Sequence, residues 1–190
     1  MKIAVSGATG RMGKLIIEAV LCSNDLELAA AVTAPGVPEI GTDAGAAIGK
    51  TTGILISDDV QDLAKADVLI DFTRPQATLA YLPFCVAHNI GVVIGTTGFD
   101  AQSKEKIVEA ARSVPVVFAP NMSVGVNSVL KLLEIAGALL SQYDCEIVEM
   151  HHKHKVDAPS GTALEMGRRV AQGRGVDFDS VAVLSREGHT

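Results

Sequence analysis

Histidine and lysine side chains are concentrated in one short segment of this acidic chain. The run His151-His152-Lys153-His154-Lys155 holds three of the five histidines in the sequence. Positive potential focused in this way suits an anionic ligand. Just downstream, Thr162-Ala163-Leu164-Glu165 has the form of a capping box that opens a helix, with Ser160 as an alternative cap. The segment therefore predicts a carboxylate-binding site in which cationic side chains and a helix N-terminus act together.

Two other interpretations of this segment stay open. A run of charged residues is by default a solvated loop without a ligand. Alternatively, the imidazoles of His151, His152 and His154 are of the kind that ligates zinc. The neighbouring lysines would repel a cation, and no carboxylate ligand stands in an obvious place, so we predict no metal here.

The glycine-rich turn Gly7-Ala8-Thr9-Gly10-Arg11-Met12-Gly13 is the second segment whose residue types point to chemistry. It joins an apolar run of strand length to an amphipathic helical pattern, as a dinucleotide-binding turn does. Gly7 permits a tight turn, Gly10 lets a pyrophosphate approach the backbone, and Gly13 lets the helix pack on the strand. A tight turn without a ligand is the alternative, because glycines alone are a weak signal.

The end of the second predicted strand bears on the choice of cofactor. Sites that prefer NAD usually place an acid there to hold the ribose diol. This chain has Val32-Thr33-Ala34-Pro35 instead, with neither an acid nor an arginine. Arg11 and Lys14 are the closest cationic candidates, so NADH and NADPH both stay open.

Short β-branched runs alternate with helical patterns over the first 120 residues. These elements must position the glycine-rich turn and the segments that follow the other strands. Strands that are apolar on both faces and alternate with helices are typical of a parallel sheet covered on both sides. Right-handed crossovers then give a doubly wound, Rossmann-type α/β fold, in which ligands bind at the carboxyl ends of the strands. The predicted strands are 2–6, 26–33, 54–56, 67–72, 91–95 and 114–119. The predicted helices are 11–22, a brief one ending near 64, one that starts over 73–75 and runs to about 88, and one that Asp100 can cap and that reaches about 112.

The pattern changes after residue 120, where we expect a second, α+β domain to begin. Residues 126–140 predict a strongly apolar helix, and a second helix begins near Thr162. Residues 145–150 alternate polar and apolar side chains, which predicts a half-buried strand. A further short strand is predicted over 181–184.

Composition excludes several classes of protein. The 16 Lys and Arg against 22 Asp and Glu give a net charge of −6, which argues against a nucleic-acid-binding surface. No apolar run reaches the ~20 residues that span a bilayer, and the N-terminus lacks the layout of a signal peptide, so we expect a cytoplasmic location. The widely spaced Cys22, Cys85 and Cys145 form no CxxC pair and are predicted to be buried thiols.

The residues from Glu149 to Ala163 also carry a resemblance to a known family. Their pattern, Glu-x-His-His-x-x-Lys-x-Asp-x-Pro-Ser-Gly-Thr-Ala, resembles the signature of the 4-hydroxy-tetrahydrodipicolinate reductase (dihydrodipicolinate reductase) family of bacterial diaminopimelate and lysine biosynthesis. The similarity extends to residues 7–13, 71–73, 95–99 and 121–127. It implies an oxidoreductase that uses NADH and/or NADPH to reduce a cyclic imine dicarboxylate, a small-molecule substrate, to tetrahydrodipicolinate.

The resemblance further implies a role for each matched residue. His151 and Lys155 would be catalytic, and one of them would donate the proton. The substrate would contact His152, Lys155, Ser160, Gly161 and Thr162. The cofactor would contact Gly7, Ala8, Thr9, Gly10, Arg11, Met12, Thr33, Phe72, Gly95, Thr96, Thr97, Ala119, Pro120, Asn121 and Met122.

Domain organisation and assembly also follow from the resemblance. It implies a dinucleotide-binding domain over 1–122, a substrate-binding and oligomerisation domain over 123–190, and a homotetramer when the chain is complete. Family members continue beyond the segment that ends here at Thr190, so the second domain is expected to be incomplete and the chain to be part of a longer protein. Two other functions stay open: a nicotinamide oxidoreductase acting on an amino-acid semialdehyde or keto acid, and a non-catalytic dinucleotide-binding protein.

Overall fold

The structure is a computed structural model that describes residues 1–153 and 158–185. The chain divides into two compact units, Met1–Pro120 and Asn121–Thr190. The first unit holds a parallel sheet with helices on both faces, and the described part of the second unit is helical.

One parallel sheet of six strands forms the centre of the first unit. Its strands are β1 (Lys2–Ser6), β2 (Glu27–Val32), β3 (Ile56–Ser57), β4 (Val68–Asp71), β5 (Gly91–Ile94) and β6 (Val116–Phe118). Their order across the sheet is β3-β2-β1-β4-β5-β6, and every neighbouring pair is parallel. The winding reverses between β1 and β4, so the predicted doubly wound fold is confirmed.

The sheet is buried on both faces because its strands carry apolar side chains at successive positions. Ala4 and Leu69 lie on one face, where they pack with Leu82 from a covering helix. Val5 lies on the other face and packs with Ile17 from a different helix. The near-continuous apolar strands of the sequence thus become the middle layer of a three-layer structure.

Three helices cover this sheet, and their starts follow the local sequence signals. They are α1 (Arg11–Cys22), α2 (Pro75–Ala87) and α3 (Ala101–Ala110). Proline opens α2, where its missing N–H costs nothing. The Asp100 carboxylate caps α3 by accepting from the Ser103 N–H at 2.7 Å, as predicted. The brief predicted helix is a 3-10 helix, Val60–Lys65, and a second short one is Ala46–Ile48.

The described part of the second unit contains α4 (Val124–Leu139), α5 (Gly161–Arg174) and the short α6 (Phe178–Val181). α4 and α5 pack with their backbones unusually close. A methyl group added at Gly137 would lie 2.6 Å from the Val170 carbonyl oxygen, and one at Gly173 would overlap the Glu134 carbonyl oxygen. Glycine at both positions therefore permits the crossing.

Both strands predicted in the second unit are wrong. Residues 145–150 have no regular structure and are exposed, and Val181 ends α6 while 182–184 have no regular structure. A strand needs a neighbouring strand for its backbone hydrogen bonds, and the described residues beyond 120 contain none. The Asp177 side chain also caps α6 by accepting from the Ser180 N–H, which commits Val181 to a helix.

The cysteine prediction holds for one residue and is wrong for two. Cys85 is buried in α2, whereas Cys22, the last residue of α1, and Cys145 are exposed. Among the helices of the described residues, none is long and apolar enough to cross a membrane.

Candidate cofactor and substrate sites

The glycine turn lies at the carboxyl end of β1, where the sheet winding reverses. Gly7 has a φ of +65°, which favours glycine, and its carbonyl accepts from the Gly10 N–H at 2.8 Å. A side chain at Gly13 would overlap the Gly7 carbonyl oxygen and lie 2.8 Å from the Ala8 Cα. The structure thus explains why glycine stands at positions 7 and 13.

The N-terminus of α1 is open toward this turn. Gly10 is the N-cap residue and supplies no side chain to accept from the first N–H groups, and no acid lies in the first turn. Those N–H groups have no partner inside the helix and carry a partial positive charge. The turn therefore fits the pyrophosphate of a dinucleotide.

The end of β2 lies beside the glycine turn. The Thr33 and Thr9 hydroxyls share a hydrogen bond of 3.0 Å, and Thr33 is buried. The next residue, Ala34, is exposed. The edge where a ribose would bind therefore offers hydroxyl groups and a small exposed side chain, without an acid from β2.

The loops after β1, β4 and β5 pack directly on one another. A methyl group at Gly95 would lie 2.6 Å from Phe72 Cδ1, because the half-buried aromatic ring covers this glycine. A methyl group at Gly7 would lie 2.9 Å from the methyl carbon of Thr73. Close approach at these two glycines brings the three loops into one continuous edge.

Asp71 lies beneath these loops, and no role for it is predicted from the sequence. Its carboxylate is fully buried and accepts hydrogen bonds from Ser6 at 2.5 Å, Thr73 at 2.7 Å, Thr96 at 2.9 Å and Thr78. The sequence signal is an acid that directly ends an apolar strand and is followed by hydroxyl residues.

The buried carboxylate of Asp71 contributes to the raised pKa of two titratable groups. Burial raises the pKa of the Cys85 thiol to about 12, and the charge of Asp71 adds to the rise. Burial followed by the same charge raises the pKa of Tyr81. Cys85 therefore stays a protonated thiol and has no nucleophilic role at neutral pH.

The structure brings most of the predicted cofactor residues to this carboxyl edge. Residues 7–12, Thr33, Phe72 and 95–97 all follow strands β1, β2, β4 and β5. Ala119 and Pro120 follow β6, and the Ala119 N–H donates to the Ile94 carbonyl of β5 at 3.2 Å. Asn121 and Met122 belong to the second unit.

Glu149 is the centre of the polar cluster in the second unit, and sequence reasoning gave it no role of its own. Its carboxylate accepts from the Ser160 N–H at 2.7 Å, from the Ser160 hydroxyl, and from His151 Nε2, which lies 2.6 Å away. The two Ser160 hydrogen bonds, followed by the one to His151, lower the pKa of Glu149 to about 2. The carboxylate is therefore ionised beside the predicted catalytic histidine.

The predicted capping box at Thr162 is wrong, and the alternative cap is used. Ser160 caps α5 by accepting from the Ala163 N–H at 3.0 Å. Glu165 consequently lies beyond the first residues of the helix and pairs with Arg169 at 2.9 Å. Glu149 takes the place of the box glutamate, because it binds the N–H of the cap residue itself.

The other predicted substrate residues lie around this helix start. Gly161 and Thr162 are exposed in the first turn of α5, and His152 is exposed nearby in the sequence. Ser160 is buried, and its hydroxyl already has Glu149 and Ala163 as partners. Lys155 and His154 lie outside the described residues. Within 1–153 and 158–185, no group of three or more His, Cys, Asp or Glu is placed to hold a metal ion.

Comparison with known families matches almost the entire chain. Residues 1–122 match the family model described as "Dihydrodipicolinate reductase, N-terminus", and residues 125–189 match "Dihydrodipicolinate reductase, C-terminus". The chain is 57% identical to the 4-hydroxy-tetrahydrodipicolinate reductase of Cupriavidus metallidurans and 54% identical to that of Ralstonia nicotianae. Both alignments cover 100% of this chain, and they cover 72% and 73% of those proteins.

A solved structure supports the same assignment. The dipicolinate-bound dihydrodipicolinate reductase from Paenisporosarcina sp. TG-14 aligns with a TM-score of 0.75 and 28% identity. The alignment covers 92% of this chain and 66% of that one. With both family models matched in order and the doubly wound sheet in place, this chain belongs to the dihydrodipicolinate reductase family of NAD(P)H-dependent oxidoreductases.

Proposed function

We propose that this chain reduces 4-hydroxy-tetrahydrodipicolinate (dihydrodipicolinate) to tetrahydrodipicolinate with NADH or NADPH, in lysine and diaminopimelate biosynthesis. One observation supports this most strongly. The uncapped N-terminus of α1 lies at the carboxyl edge of a doubly wound sheet, in a chain 57% identical to a reductase of this name. Such an edge suits a dinucleotide.

The first unit supplies the proposed cofactor contacts. The first-turn N–H groups of α1, from Arg11 onward, hold the pyrophosphate, and the Phe72 ring with residues 95–97 forms the wall along the nicotinamide. Ala119 and Pro120 extend that wall, and Asn121 and Met122, which belong to the second unit, are also proposed cofactor contacts. When bound, the reduced nicotinamide supplies a hydride; the chain's own task is to orient it and to keep water from the reacting face.

The second unit supplies the proposed substrate contacts. The N–H groups of the exposed residues Gly161 and Thr162, at the start of α5, donate to one carboxylate of the substrate, and His152 and Lys155 contact the substrate carboxylates as well. Ser160 contributes indirectly, because its hydroxyl is engaged by Glu149 and Ala163 and fixes the helix start.

Hydride addition to the cyclic imine of dihydrodipicolinate leaves the acceptor with an added negative charge, so the chain must deliver one proton. When 4-hydroxy-tetrahydrodipicolinate is the starting compound, its 4-hydroxyl group leaves as water. His151 and Lys155 are the proposed donors. His151 Nε2 lies 2.6 Å from the Glu149 carboxylate, which holds the imidazole beside the start of α5. A positioned general acid of this kind is typically worth ~10²–10⁴ in rate.

We also propose that the protein works in the cytoplasm as a homotetramer, with residues 1–122 binding cofactor and 123–190 binding substrate and partner subunits. Its net charge of −6 is consistent with a small-molecule enzyme that does not bind nucleic acid. Size-exclusion chromatography with light scattering tests the assembly, and a stable monomer would contradict it.

The activity itself is tested by cofactor oxidation with NADH and NADPH in parallel. We expect oxidation that depends on dihydrodipicolinate and is absent with aspartate semialdehyde or a 2-keto acid. Oxidation only with the semialdehyde or keto acid would make the chain a different oxidoreductase. Cofactor binding without oxidation by any of these substrates would make it a binding protein.

A further inference from the structure

We propose that Asp71 is a positioning residue for the dinucleotide: its buried carboxylate joins the loops after β1, β4 and β5 and so sets the shape of the cofactor edge. The inference rests on the proposed function, because it concerns the site of that cofactor. Asp71 is not itself a proposed cofactor contact; it acts through the residues that it holds.

Four hydroxyl groups from four separate elements converge on this carboxylate. Oδ1 accepts from Ser6, the last residue of β1, and from Thr73 in the loop after β4. Oδ2 accepts from Thr96, after β5, and from Thr78 in α2. Two donors on each oxygen fill the acceptor capacity of a carboxylate, so the arrangement is complete without a water or an added cation.

The cost of this arrangement argues for a role beyond packing. Asp71 and Thr78 are almost fully inaccessible to solvent, and every hydrogen bond that the structure gives the Asp71 carboxylate comes from a hydroxyl. Burying a carboxylate is expensive unless it is fully hydrogen-bonded, and an apolar residue of similar volume stabilises a core equally well. The hydrogen bonds of Asp71 lie directly beneath the loops at the carboxyl edge of the sheet, which carry the proposed cofactor contacts.

The hydrogen bonds continue from Asp71 to the proposed cofactor contacts. Thr96 donates to Asp71 and its oxygen accepts from the Thr73 N–H at 2.8 Å, which fixes the main chain next to Phe72. The Phe72 ring in turn covers Gly95. Loss of the carboxylate would therefore move the wall that the cofactor faces.

The same chain of contacts reaches the glycine turn. Ser6 is held by Asp71 and directly precedes Gly7, whose Cα faces the Thr73 methyl group. Because Thr73 is also bound to Asp71, both sides of this close approach depend on one carboxylate.

Asp71→Asn and a Thr78 pair test the proposal. Thr78 lies on α2, outside the proposed cofactor contacts, so Thr78→Val removes one hydroxyl at constant shape and Thr78→Ser keeps it. We expect Asp71→Asn and Thr78→Val each to raise the Kd of NADH and NADPH by about tenfold or more, and Thr78→Ser by less than about twofold. The KM for cofactor rises in parallel, while kcat at saturating cofactor changes little, because uniform binding is what is lost.

Asp43→Asn is the matched control. Asp43 also accepts several hydrogen bonds, from Gly45, Thr52 and Gly53, but it pairs with Leu55 just before β3, an outer strand of the sheet. We expect Asp43→Asn to lower the melting temperature and leave both Kd values unchanged.

Each outcome decides the matter. If the unmodified chain binds neither NADH nor NADPH, the proposed function and this inference fall together. If it binds and Asp71→Asn melts earlier but binds equally well, only the positioning role is overturned. Should Asp71→Asn fail to fold, the Thr78 pair decides: equal Kd values for Thr78→Val and Thr78→Ser overturn the inference.

Discussion

Glu149 joins the predicted catalytic histidine to the start of α5 with one carboxylate. The residue stands eleven positions before Ser160, and it binds both the N–H and the hydroxyl of that serine as well as His151. A movement of the helix start is therefore transmitted to the imidazole. Glu149 therefore connects a proposed proton donor, His151, to the proposed carboxylate site at the start of α5 by hydrogen bonds.

Glu149→Gln tests this coupling through the pH dependence of stability. The hydrogen bonds lower the pKa of Glu149 from its ordinary 4.5 to about 2 in the folded chain. The stabilisation is therefore present above pH 4.5 and is lost as the pH falls toward 2. We expect the melting temperature of Glu149→Gln to lie below that of the unmodified chain at pH 6 and the gap to narrow toward pH 2.

Glu105→Gln is the control for this measurement, because Glu105 is an exposed glutamate on α3. It should leave the melting temperature nearly unchanged across the same range. A constant gap between Glu149→Gln and the unmodified chain from pH 6 to pH 2 would contradict the role of the ionised carboxylate.

Ala34→Asp tests the preference for NADH or NADPH at an exposed position, where a larger side chain should change the stability of the fold little. Ala34 is exposed at the end of β2, directly after Thr33. An acid there can accept from a ribose diol and repels a 2′-phosphate. We expect Ala34→Asp to raise the Kd of NADPH about tenfold while that of NADH falls or stays constant. Ala34→Asn, which has the same shape without the charge, should leave the NADPH Kd within about twofold; an equal rise in both variants would contradict the electrostatic cause.

The role of a residue could be predicted where its partners are close in the sequence, and not where the fold brings together partners from distant segments. The glycine turn could be predicted because strand, turn and helix follow one another directly in the sequence, from Lys2 to Cys22. The role of Asp71 could not be predicted, since its donors Ser6 and Thr96 lie 65 and 25 positions away in the sequence. Glu149 forms part of the recognised motif, yet its partners became known only with the fold.

At the scale of elements, apolar periodicity was sufficient to predict a helix or strand wherever the local sequence alone determines which of the two forms. The strands and helices of the first unit follow their predicted bounds to within a few residues. The strand predicted over residues 145–150 is wrong because alternating polar and apolar side chains are typical of a strand but do not supply the neighbouring strand with which it must pair. The predicted start of α5 differs from the observed one because both Ser160 and Thr162 are residue types that cap helices. The contact that favours Ser160 comes from Glu149, which stands eleven positions earlier in the sequence.

Gly173→Ala tests the close crossing of α4 and α5. A methyl group there would overlap the Glu134 carbonyl oxygen and lie 3.0 Å from the Ala138 nitrogen, both of them backbone atoms that cannot rotate away. We expect a loss of about 1–3 kcal/mol in the free energy of unfolding. The measurement is chemical denaturation followed by circular dichroism.

Gly161→Ala is the matched control in the same helix. Nothing lies within 4 Å of a methyl group at Gly161, so alanine should leave stability unchanged or raise it by up to about 1 kcal/mol. If Gly173→Ala were as stable as Gly161→Ala, the two helices would not be packed through their backbones as described.

At the scale of the whole molecule, apolar burial is distributed unequally between the two units. Both buried clusters on the faces of the sheet are formed entirely by residues before Pro120. The second unit instead exposes large apolar side chains, among them Val124, Leu132 and Leu139 on α4. The chain also spans 72% of the length of its Cupriavidus relative. Exposed apolar surface of this kind is typical of an interface, which is consistent with the proposed assembly through the second domain.

This inequality predicts that residues 1–120 fold without the rest of the chain, because a unit with its own two-sided core meets the requirement for independent folding. We expect a fragment of residues 1–120 to unfold in one cooperative transition in urea and to keep the α/β circular dichroism spectrum. A fragment of residues 121–190 should show a broad, weakly cooperative transition, since its helices bury little apolar surface. Gradual, non-cooperative unfolding of the first fragment would show that its sheet depends on the second unit, contrary to the division of the core described above.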